Sequence, residues 1–147
     1  MAGVSEEPQN ITCFNAAART VLVKLHREFP RPVVLNSTAL MAEIPAYCQG
    51  TWGPFHGDDN YVAATIRFLR EEGYLRHVGT PDTKQTQFAG VVLTSRGFSV
   101  LQAPLDSLGL PAAEKTTVVG RLGENLSVSD VSLLMGLLLK LGLMLRL

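Results

Sequence analysis

The chain has 147 residues, with 13 Lys and Arg against 13 Asp and Glu, two Cys and 46% hydrophobic residues. That is one domain's length and enough to bury a core without staples, so Cys13 and Cys48 need no bridge, and too few Cys are present for a disulfide framework or a Cys-rich zinc site. The charges balance and spread evenly along the chain, which excludes histone-like and acidic-tailed classes.

Residues 1–11 read as a disordered leader, acidic at Glu6 and Glu7 and lacking the basic start and apolar run of a signal peptide. With both thiols expected reduced, the expected location is the cytoplasm. A folded domain is expected over 12–104. Its first helix runs from about Thr12 to Phe29, with Phe14, Ala17, Ala18, Val21, Leu22 and Leu25 on one stripe. Pro30 and Pro32 stop it. Val33-Val34-Leu35 reads as a short strand, Asn36 or Ser37 as a cap, and Leu40, Met41 and Ile44 as one side of a short helix. Pro45 to Asp59 is a long loop with Tyr47, Trp52 and Phe55, expected to pack on the neighbouring helices. Asp58 and Asp59 suit the start of a third helix, buried through Val62, Ile66 and Leu69 and flanked by Phe68. Gly73 suits a left-handed stop. Strands are expected over Tyr74–Val78 and Thr86–Leu93, joined by a turn at residues 79–82, and Thr94 or Ser95 then caps a short helix carrying Phe98 and Leu101.

Three short helices followed by a two-stranded wing resemble a winged helix-turn-helix. Residues 66–75, Ile-Arg-Phe-Leu-Arg-Glu-Glu-Gly-Tyr-Leu, are similar to the end of the third helix and the first wing strand of bacterial winged-helix transcriptional regulators. Leu93-Thr94-Ser95-Arg96-Gly97 is similar to their Leu-Thr-x-x-Gly return from the wing. The long link from second to third helix departs from that pattern. The expected fold class is mainly α with a small β-hairpin wing (α+β): a winged helix-turn-helix plus a C-terminal hydrophobic helix.

The resemblance implies a regulator of transcription that binds double-stranded DNA, with the third helix in the major groove and the wing on the backbone. Asn60, Tyr61, Ala64, Thr65 and Arg67 map to the reading face, and His77, Lys84 and Gln85 to the wing. Asn60 would read adenine and Arg67 guanine or a phosphate. Few phosphate partners lie on this surface, however, and Asp58 and Asp59 oppose DNA. Arg67 and Arg70 also read as partners of Glu71 on a solvated face.

Residues 105–125 read as a linker with a short helix from about Ala112 to Glu124. Residues 126–147 form a Leu-rich helix opened by Ser129 and Asp130, in which ten of 22 residues are Leu. A helix apolar nearly all round is buried in a core, a bundle or a membrane. The apolar run from Val131 to Leu147 contains Lys140 and is shorter than the roughly 20 residues of a span. Its expected role is therefore homo-oligomerisation, through Leu133, Leu134, Leu137, Leu138, Leu141, Met144 and Leu145. The alternative is a winged-helix protein-interaction module that does not bind DNA, held at a membrane by this helix.

No catalytic constellation stands out, so an enzyme is not expected, and no cofactor or metal is implied. His56-Gly57-Asp58-Asp59 lacks a second ligand cluster, Cys48 reads as an idle thiol, and Gly120-Arg121-Leu122-Gly123 lacks the lysine of a phosphate-binding loop.

Overall fold

The first helix, α1, spans Gln9–Glu28 and begins earlier than expected, inside the segment read as leader. Its small residues Ala17 and Ala18 are fully buried and let neighbouring helices approach. The structure is a computed structural model and describes residues 9–49, 60–77, 87–108, 117–124 and 126–144. After the proline stop, strand β1 (Val33–Asn36) leads directly into α2 (Ser37–Leu40). Asn36 Oδ1 accepts from Ala39 N at 2.9 Å and caps α2. Two single 3₁₀ turns follow, Met41–Glu43 and Ala46–Cys48.

The second of these turns corrects an expectation. Cys13 and Cys48 form a disulfide, with their Cα atoms 5.6 Å apart. The Ala46–Cys48 turn lies against the start of α1, where Gln9 Nε2 also donates to Tyr47 O at 2.9 Å. The unbridged reading came from asking whether a chain of this size needs a staple. Whether two thiols meet is decided by how the chain returns to α1.

Helix α3 (Tyr61–Glu71) ends at Gly73, whose φ of +84° is the left-handed conformation expected there. Strands β2 (Leu75–His77) and β3 (Gln87–Leu93) pair antiparallel, and β1 pairs antiparallel with the other edge of β3, giving the order β1-β3-β2. Helix α4 (Ser95–Gln102) follows at once. Thr94 fastens this corner. Its Oγ1 accepts from Gly97 N at 3.0 Å and donates to Gly73 O at 2.5 Å, while its N–H donates to Tyr74 O at 3.1 Å. The fold is thus α+β, mainly helical, with one small antiparallel sheet.

Helix α5 (Val118–Leu122) is capped by Thr117, and α6 runs over Val128–Met144. Much of the helix expected from Ala112 falls outside the described residues. Ser127 Oγ, rather than Ser129, accepts from the first turn of α6, at Asp130 N (3.2 Å). Among the described residues, no helix is long and apolar enough to cross a membrane.

Helix α1 lies at the centre, packed on both α3 and α6. The core runs from Leu22 and Leu25 through Ile66, Leu69, Tyr74 and Phe88 to Met135 and Leu138. One side of the Leu-rich helix therefore belongs to the protomer itself. Arg96 of α4 locks it there: Nε donates to Gly142 O at 3.1 Å, Nη1 donates to Glu72 O, and the guanidinium stacks 4.6 Å from the Tyr74 ring centroid.

Candidate interaction surface

The residues expected to read DNA separate into several groups. Asn60 is buried and serves as the cap of α3: its Oδ1 accepts from Ala63 N at 2.9 Å. An amide holding a helix start cannot also reach a base edge. Asn60→Ala is accordingly expected to cost about 1 kcal/mol of stability, read as a lower denaturation midpoint. Unchanged stability would return Asn60 to the surface role. Thr65 is also buried. Tyr61, Ala64 and Arg67 are half-buried. His77 meets Arg70 at the root of the hairpin, Nε2 to Nη1 2.7 Å. A guanidinium has no acceptor, so His77 Nε2 accepts this bond. Arg70 also lies 3.8 Å from Glu71, one residue away and not the four of a helical pair. Lys84, Gln85, Asp58, Asp59 and His56 lie outside the described residues, as do Trp52 and Phe55 of the aromatic loop. Tyr47 is exposed.

Glu71 of α3 is exposed and Arg67 and Arg70 are half-buried, but beside the start of α1 the outer face of α3 is apolar. Phe68 is 43% exposed and meets Phe14 of α1 edge to face, with ring centroids 5.2 Å apart. With Ile11, Tyr61 and Ala64 these rings line a groove of about 510 Å³ between α1 and α3, closed by Asn10 and Thr65. Among the described residues, none that lines it carries a charge. The α1 wall is held by the Cys13–Cys48 bridge, within a turn of Ile11 and Phe14, and by the Gln9–Tyr47 bond, within a turn of Ile11. Sequence reasoning placed Phe14 in the core and Phe68 beside the buried stripe. Phe68 falls off the Val62, Ile66 and Leu69 spacing, and that offset is the signal for an outward ring. Nothing in the sequence placed Ile11 beside it, because the helix was expected to start later.

Two other hollows flank α1. One, about 250 Å³, carries Arg19, Lys24, Arg27 and Glu43. Its Arg19 is already committed to the end of α5, donating to Leu122 O at 2.7 Å and to Glu124 O. The other, about 310 Å³, lies between α1, the first 3₁₀ turn and the start of α6. Among the described residues, no three His, Cys, Asp or Glu converge as a metal site would require.

The seven residues expected to form an oligomer contact divide likewise. Leu134 and Leu138 are buried inside the protomer, which withdraws them from any surface. Leu137 and Leu141 are half-buried, and Leu133 and Met144 are exposed. Leu145 lies outside the described residues. Comparison with family models, curated proteins and solved structures gave no match.

Proposed function

We propose that this chain is a winged-helix protein-interaction module that takes up an amphipathic helix of a partner protein in the groove between α1 and α3. The observation that carries this reading is the groove between α1 and α3. Of the α3 positions expected to read DNA, Asn60 and Thr65 are buried, and Tyr61 and Ala64 line this groove beside Phe68, facing Ile11 and Phe14. An apolar trough walled by two helices suits the apolar face of a third, whose side chains at i, i+3, i+4 and i+7 would enter it. A polyanion gains nothing from such a lining. The element order and the β1-β3-β2 sheet support the winged-helix part of the proposal. The cytoplasmic expectation rested partly on reduced thiols, and the Cys13–Cys48 bridge withdraws that support.

The test is a fluorescence titration with synthetic helical peptides carrying Leu at i, i+3, i+4 and i+7. Binding is expected to be nearly independent of salt. Phe68→Asp should weaken it about thirtyfold, the loss of a central aromatic anchor, with an unchanged circular dichroism spectrum. Equal binding by the variant would overturn the reading. A second reading, a regulator binding double-stranded DNA, is favoured by the cations Arg67, Arg70 and Arg76 running from α3 to the hairpin. It predicts steeply salt-dependent binding to a random duplex pool, reduced in Arg67→Ala.

A further inference from the structure

Helix α6 has one face that the protomer uses and one that it does not. Val131, Leu134, Met135 and Leu138 are buried, and Gly142 admits the Tyr74 side chain where a Cβ would overlap its hydroxyl. On the opposite side Leu133, Leu143 and Met144 are 52%, 56% and 64% exposed, with Gly136 and Lys140 between them. Helical spacing puts residues 133, 136, 140 and 143 on one stripe. Gly136 has no role in the protomer. A Cβ there would meet nothing within 4 Å, yet glycine is a poor residue for a helix interior. The apolar stripe and the open glycine are what a second helix approaching closely would require.

The charges identify that helix. Asp130 and Lys140 are the charged residues of α6, about 15 Å apart along its axis. Neither side chain has a partner among the described residues. In an antiparallel pair related by a two-fold axis, each residue faces its counterpart across the midpoint. With the axis level with residue 135, midway between 130 and 140 and between 133 and 137, Asp130 faces Lys140 of the second copy and Leu133 faces Leu137 of the second copy, each pair occurring twice. A parallel pair would oppose Asp130 to Asp130 and Lys140 to Lys140. We infer that α6 pairs antiparallel with α6 of a second copy of this chain, across a two-fold axis level with residue 135 and next to Gly136. The contact is isologous and closes at two protomers. It is separate from the α1–α3 groove and stands or falls without it.

The test is sedimentation equilibrium of the full chain at micromolar concentrations. The wild type is expected to dimerise. Leu133→Glu, at an exposed position, should give a monomer with unchanged circular dichroism and, at concentrations low enough to dissociate the wild type, the same unfolding midpoint. Asp130→Lys and Lys140→Asp should each raise the dissociation constant at least tenfold, and the double variant should recover most of that loss. A parallel pair would leave both single variants at the wild-type value, because each merely exchanges one set of like charges for another. A wild type that stays monomeric, or a dimer indifferent to Leu133→Glu or to the two charge variants, overturns the inference. So does a wild type that stays monomeric but pellets with neutral phosphatidylcholine vesicles through Leu133, which would assign the stripe to lipid.

Discussion

Replacing both Cys13 and Cys48 by Ser is expected to lower the unfolding free energy by about 4 kcal/mol, a large share of the 5–15 kcal/mol that holds a typical domain. The bridge joins positions separated by 35 residues and closes a loop that contains β1, α2 and both 3₁₀ turns. Opening that loop returns its conformational freedom to the unfolded chain, so the native contacts stay and the reference state gains entropy. Urea unfolding followed by circular dichroism, with and without a dithiol reductant, measures the difference. Both sulfurs belong to residues buried to 2% exposure or less, so native protein should be reduced only as fast as this corner opens. A loss under 1 kcal/mol would mean that noncovalent packing already closes the loop.

Gly97→Ala is expected to cost about 3 kcal/mol of stability. A Cβ at Gly97 would overlap the carbonyl of Tyr74 and press on Leu93. The obstacle is backbone, pinned by the Thr94 bonds on one side and the Arg96 stack on the other, so it cannot step aside. Gly136→Ala provides the internal control. It adds the same methyl group to open space and should raise protomer stability by up to about 1 kcal/mol. Thermal unfolding of the two variants at low protein concentration compares them directly. Equal midpoints would show that the corner between β3 and α4 is far more yielding than its hydrogen bonds imply.

Most of the helices were legible because their signals are local. Asn36, Thr94 and Gly73 each act at one turn of chain, and the periodicity of Val62, Ile66 and Leu69 survives any tertiary context. The Leu-Thr-x-x-Gly pattern also has a local physical basis: Thr94 caps α4, and Gly97 clears Tyr74. What sequence could not convey depended on distant chain segments meeting. The bridge needs residue 48 to return to residue 13. Asn60 looked like a base reader because its cap role becomes visible only once the start of α3 is known, one residue beyond the expected aspartates. The Leu-rich helix looked apolar all round, and period alone cannot say which side the protomer keeps. The candidate groove was half legible: Phe68 is off the buried stripe, but Ile11 and Phe14 reach it only through the packing of α1 on α3.

The central helix also sets an order of events during synthesis. Helix α1 is made before the elements that cover it, α6 comes only after α3, the hairpin and α4, and Arg96 of α4 then latches α6 by its final turn. While the chain grows from the ribosome, α3 and the hairpin can assemble on one flank of α1, but the flank that receives Val131, Met135 and Leu138 stays wet until α6 has been made. The nascent protein thus carries an open apolar seam until α6 arrives, the kind of surface that holding chaperones recognise. A premature stop before residue 131 would leave that seam uncovered and make the product a target for degradation, whatever partner the finished protein serves.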